Sequence, residues 1–112
     1  MQDVVVVGAG PTGCYAAREL AARGYEVLVL EEHADVGEPV HCTGIVGLEI
    51  YRRFDLDPSC VEAVLSSARF FSPRGQTLTV TAEEPRALVV DRRQFDRLLA
   101  RFLADTTVTS ID

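Results

Sequence analysis

The 112-residue sequence is 47% hydrophobic and carries 17 acidic against 11 basic residues, a net charge of -6. That is enough for one small domain with a core, and it leaves no basic stripe for nucleic acid. No run approaches the roughly 18 apolar residues of a membrane span, and the N-terminus lacks a signal peptide's basic and apolar regions, so a cytoplasmic chain is expected.

In chain order, residues 3–7 (DVVVV) form an unbroken β-branched run, the pattern of a parallel strand buried on both faces. GAGPTG breaks it. The stretch PTGCYAARELAAR (11–23) is rich in helix formers, opens on Pro11 and stops at Gly24. YEVLVLE (25–31) returns to an apolar strand. With such short connections the two strands must be parallel, so residues 2–31 read as a Rossmann-like βαβ core.

A loop rich in glycine and proline follows, and IVGLEIYRRF (45–54) fits a short helix ended by DLDPS. AVLSSARFFS (63–72) and QTLTVT (76–81) flank PRG as the arms of a hairpin, and RALVV (86–90) adds a third short strand. Residues 32–90 therefore read as a loop and a mostly antiparallel β excursion. DRRQFDRLLARFLAD (91–105) predicts a helix: Asp91 and Gln94 have capping-box spacing, and Phe95, Leu98, Leu99, Phe102 and Leu103 share one face. A strand over 106–111 completes the segment 91–112.

Gly8, Gly10 and Gly13 give G-x-G-x-x-G at the strand-to-helix turn, with Glu31 ending the second strand 18 residues past Gly13. The first glycine permits the tight turn, the second lets backbone approach a pyrophosphate, and the third lets helix pack on strand. The helix N-terminus favours a diphosphate. Glu31 suits ribose hydroxyls and would repel a 2′-phosphate, which makes NADP the least suitable ligand.

Three cysteines at 14, 42 and 60 fit neither a disulfide framework nor zinc spacing, so reduced thiols and no metal site are expected. Cys14 and Cys60 read as packing residues. His41 reads as a solvent-facing loop residue, because nothing near it in sequence supplies a second ligand or an orienting acid. Every basic residue is arginine, which excludes a lysine Schiff base within the segment.

VVVVGAGPTGCYAARELAARGYEVLVLEE resembles the ADP-binding fingerprint of FAD-dependent oxidoreductases, Pro11 being more usual there than in NAD dehydrogenases. VGEPVHCTGIVG and VVDRRQFDRLLA narrow the resemblance to the geranylgeranyl reductase family, flavoproteins that saturate isoprenoid double bonds. It covers about Asp3 to Leu103. The resemblance implies an α/β, aromatic-hydroxylase-type flavoprotein fold with a Rossmann-like FAD-binding unit, here truncated to the N-terminal part of a longer chain.

It also implies FAD as cofactor, with Gly8, Gly10, Pro11 and Gly13 over the pyrophosphate and Glu31 on the adenosine ribose. Pro39, Cys42 and Gly44 match the family's proline, cysteine and glycine, in a loop against the flavin and the substrate tunnel. Thr43 would contact FAD through its backbone. Arg92 would approach the cofactor, the alternative being a helix-terminal arginine paired with Asp96. Cys42 is the candidate catalytic residue; a redox-sensing thiol and a small residue in a tight loop are its alternatives.

The implied reaction is hydride transfer from reduced FAD to an isoprenoid lipid, with an external electron donor and peripheral membrane contact in the full-length parent. Taken alone, the 112-residue chain is expected to hold FAD weakly and to be inactive. A flavin monooxygenase or halogenase of the same fold, and a non-catalytic nucleotide-binding module acting with a partner chain, are the other readings.

Overall fold

A computed structural model of the protein describes residues 1–103 and 107–110. In chain order the elements are β1 (Val4–Val7), α1 (Pro11–Ala22), β2 (Val27–Glu31), β3 (Ile45–Gly47), α2 (Leu48–Phe54), β4 (Val61–Leu65), β5 (Ser67–Phe71), β6 (Thr77–Thr81), β7 (Ala87–Val90), α3 (Arg92–Ala100) and β8 (Thr107–Ser110). Short 3-10 turns occupy Pro58–Cys60 and Arg101–Leu103. The chain divides into two units, one holding Met1–His41 and the chain from Arg92 onward, the other Cys42–Asp91. Residues 32–41, read from the sequence as the start of the excursion, belong to the first unit.

In the first unit β2 is the central strand of a parallel sheet of order β1-β2-β8. Val4 faces Val27 and Val7 faces Leu30 on one side, and Leu28 faces Thr107 on the other. Helix α1 packs on β1 and β2, and α3 packs on α1. Cys14 and Ala17 of α1, Val27 and Val29 of β2, and Phe95 and Leu99 of α3 form its core. The sequence predicts β1 buried on both faces, and here the structure differs: its burial alternates, with Val5 52% and Val7 76% exposed. The four valines are fixed as a strand by propensity and pairing, while only the face under α1 is covered.

The second unit holds an antiparallel sheet of order β3-β7-β4 and the two-stranded ribbon β5-β6. Leu88 and Val90 of β7 are its buried centre, with Tyr51 and Cys60. Two expectations change here. The segment 45–54 is not one helix, because Ile45 to Gly47 pair with Val89 to Ala87 and the helix begins only at Leu48. The arm 63–72 is not one strand: residues 61–65 pair with β7, while 67–71 form the hairpin with β6, Phe70 opposite Leu78. Ser66 marks the break, and its carbonyl accepts the Ala82 N–H at 2.8 Å. Helix α3 covers the front of the predicted 91–105 and passes into a 3-10 turn at Arg101; 104–106 lie outside the described residues, as do 111 and 112.

Candidate functional site

The turn between β1 and α1 is held from three sides within the first unit. Gly8 takes φ +96°, the left-handed region that favours glycine, and its N–H donates to the Leu30 carbonyl at 2.7 Å. Ala9, 1% exposed, is then fixed through both of its backbone groups: its N–H donates to Glu31 Oε2 at 2.7 Å, and its carbonyl accepts the Cys14 thiol at 3.1 Å. Gly13 allows the close approach that this geometry needs, because a Cβ there would collide with the Gly8 carbonyl oxygen.

Gly10 is different. It sits at the N-cap of α1 with φ -70° and ψ 178°, ordinary extended backbone, and a Cβ there meets nothing within 4 Å. The fold has no need of glycine at this position. Pro11 occupies the first helical position and has no amide, so Thr12 and Gly13 carry the first N–H groups of α1. No acidic residue stands in that first turn, so the helix's partial positive end is not offset by its own side chains. Together these residues form a backbone cradle for an anionic group, with clear space above Gly10.

Glu31 closes the cradle from the end of β2. Its Oε2 accepts the Ala9 amide, while Oε1 accepts the His33 amide at 2.9 Å and lies 3.0 Å from His33 Nδ1. The His33 amide first, then the Ala9 amide and the His33 ring, hold the carboxyl below its ordinary pKa against the opposing effect of its burial. Burial, with the nearby carboxylates of Asp96 and Glu31, pushes the Cys14 thiol up to about 11, so it stays protonated and donates. Neither Cys14 nor His33 stands out as a site residue in the sequence. Each supports Ala9 or Glu31 through a contact that only the folded turn creates.

Arg92 opens α3 and turns its guanidinium onto Asp96, with Nε to Oδ1 at 2.9 Å and Nη2 to Oδ2 at 3.4 Å, above the Phe95 ring. That is the i, i+4 pairing available to it from sequence alone. The loop before His41 is tied to the same helix: Glu38 accepts Arg93 Nε at 2.9 Å and Arg97 Nη2 at 3.1 Å.

Cys42, Thr43 and Gly44 lie together in the second unit. Cys42 is exposed, and its Sγ accepts the Gly44 N–H at 3.4 Å. Gly44 takes φ +80°, and its carbonyl accepts the Val90 N–H at 2.9 Å. The structure thus groups Gly8, Gly10, Pro11, Gly13 and Glu31 in one turn, puts Arg92 in the same unit on α3, and gathers Cys42 to Gly44 in the other unit. All three cysteines are thiols.

Comparisons with known proteins place the chain in a family. The FAD dependent oxidoreductase family model matches residues 3–106. Digeranylgeranylglycerophospholipid reductase 1 of Methanococcoides burtonii is 41% identical over 110 residues, covering 95% of this chain and 27% of that protein. The digeranylgeranylglycerophospholipid reductase of Methanocella arvoryzae is 39% identical over 91% of this chain and 27% of its own length. The chain therefore spans about a quarter of these relatives.

Among solved structures, a geranylgeranyl bacteriochlorophyll reductase-like protein from Thermoplasma acidophilum matches with a TM-score of 0.83 and 30% identity, over 97% of this chain and 30% of that one. The p-nitrophenol 4-monooxygenase of Pseudomonas putida matches with a TM-score of 0.74 at 19% identity, over 98% of this chain and 32% of that one, a likeness of fold alone. The fold is the α/β flavoprotein type shared with aromatic hydroxylases, of which this chain covers the N-terminal part. With the family model matching residues 3–106, nearly the whole chain, the chain belongs to the FAD-dependent oxidoreductase family.

Proposed function

We propose that the protein carrying this segment is an FAD-dependent reductase that saturates isoprenoid double bonds of geranylgeranyl lipids. The observation that carries the reading is Gly10: the fold tolerates a side chain there, so its glycine answers to a ligand that comes against the backbone. A diphosphate fits that place. Thr12 and Gly13 offer amides to it, Gly8 and Gly13 shape the turn beneath it, and Glu31 accepts from the adenosine ribose while repelling a 2′-phosphate.

Arg92 would balance the cofactor's charge, with Asp96 fixing its guanidinium. The loop Cys42–Gly44 would line the flavin and the prenyl chain, Thr43 through its backbone and Cys42 as a small side chain beside the reacting alkene. When bound and reduced by an external donor, FAD would supply the hydride for the alkene. The protein's own share is position and a dry pocket. The lipid substrate is supported by the names of the relatives, each a reductase of digeranylgeranylglycerophospholipid. No helix among the described residues is long and apolar enough to cross a membrane. The proposed location is the cytoplasm, with the enzyme meeting its lipid at the membrane surface.

Gly10→Val is the test. The variant should fold, with an unchanged circular dichroism spectrum, and should lose flavin absorbance and lipid saturation measured by mass spectrometry together. Retained flavin in the folded variant refutes the placement of the pyrophosphate.

A further inference from the structure

Glu31 is not simply a carboxylate at a strand end. Each of its oxygens is already engaged: Oε2 by the Ala9 amide at 2.7 Å, Oε1 by both donors of one residue, the His33 amide at 2.9 Å and Nδ1 at 3.0 Å. A carboxylate only accepts, so the ring must carry its proton on Nδ1 to join this arrangement. A carboxylate has about four lone-pair positions. Three are taken, which leaves at most one, on Oε2, for a ligand hydroxyl.

We propose that His33 is a positioning residue for the nucleotide site: its amide and ring together fix Glu31 Oε1, which turns Oε2 onto the Ala9 amide and couples the acid to the glycine turn. This rests on the reading of that turn as the ADP site and adds a residue the fingerprint does not contain. Donors converge on the carboxylate from two sides, His33 on Oε1 and the Ala9 N–H on Oε2, while the Ala9 carbonyl in turn accepts the Cys14 thiol. Its consequence is selectivity in how the ribose is held. Glu31 meets the ligand through one oxygen in a fixed direction, and a ring that let go would free the side chain to rotate away from the turn. The charged and titratable groups in this arrangement include His33, the Glu32 carboxylate 3.9 Å from the ring, the Cys14 thiol on α1, and Asp96 of α3, which acts on that thiol.

The experiment reads the Ala9 and His33 amide resonances by NMR in His33→Ala, His33→Asn and His33→Gln. In the native protein both amides should sit downfield at neutral pH and move upfield together as acid protonates Glu31, below the ordinary glutamate range. His33→Ala keeps the backbone donor and removes the ring, so the Ala9 amide should move upfield already at neutral pH. Asn places a side-chain N–H where Nδ1 stood and should restore the signal, whereas Gln places it one bond farther and should not. FAD affinity should follow the same order, with a loss of roughly five-fold for His33→Ala, the size expected for one weakened hydrogen bond.

An Ala9 amide unmoved in His33→Ala, or restored equally by Asn and Gln, overturns the proposal whether or not FAD binds. Failure of the full-length native protein to bind FAD overturns the nucleotide reading instead, and the amide signals then decide the role of His33 by themselves.

Discussion

A Cβ added at Gly44 would collide with the Val90 carbonyl oxygen, and the residue's φ of +80° is one that side chains rarely adopt. Both penalties fall on the same hydrogen-bonded contact between the loop and β7, so neither can be relieved by moving a flexible side chain. Gly47 is the natural control, since its φ of -67° is ordinary and a Cβ there meets nothing within 4 Å. Gly44→Ala should destabilise the protein by about 2 kcal/mol or more in urea unfolding, and Gly47→Ala by less than about 1 kcal/mol. The glycines of the turn sort by the same physics: Gly8 and Gly13 serve the backbone, and Gly10 answers to no contact within the fold. The sequence pattern lists all three alike. Only the backbone angle and the space around each Cβ separate the two glycines the fold requires from the one it does not.

Between elements, a polar contact inside an apolar centre ties α2 to the turn before β4. The Tyr51 hydroxyl lies 3.1 Å from Cys60 Sγ, with the two residues 8% and 2% exposed. Burial, then the contact with Cys60, pushes the Tyr51 phenol above its ordinary pKa, so it remains protonated. Tyr51→Phe keeps the ring and removes the hydroxyl, which should cost about 0.5–1.5 kcal/mol in thermal or urea unfolding, clearly less than Tyr51→Ala. This pairing was invisible in sequence, where Cys60 reads as a packing residue and Tyr51 as part of a short helix. The β1-α1-β2 unit was legible because its demands are local: a strand, three glycines at fixed offsets, a proline-opened helix and an apolar strand within 31 residues. The excursion was not, because residues 61–65 find their partner in β7, more than twenty residues on. Strand propensity marked 63–72 as one arm, and the long-range pairing with β7 split it at Ser66. The fingerprint likewise marks Glu31 as the expected ribose acceptor, while its link to Ala9, 22 residues back, depends on the fold.

Across the whole molecule the three thiols report on both units separately. Cys14 is buried in the first unit and Cys60 in the second, at 0% and 2% exposure, whereas Cys42 is exposed. Cys14 is protected twice. Its burial blocks reagents, and with a pKa of about 11 only on the order of one molecule in a thousand is thiolate at pH 8. An aromatic disulfide reagent at pH 8 should therefore titrate one thiol at once in the native protein and all three in denaturing urea. Cys42→Ser should abolish the rapid phase and leave the total in urea at two. In intermediate urea, mass mapping of the labelled peptides gives the opening of each unit independently, Cys14 for the β1-α1-β2 turn and Cys60 for the sheet around β7. A native protein in which Cys14 labels as fast as Cys42 would mean that the first turn of α1 opens without unfolding. The thiol would then not be the fixed donor to Ala9 that holds the cradle, and Gly10 and Glu31 would lose the rigid turn on which their roles depend.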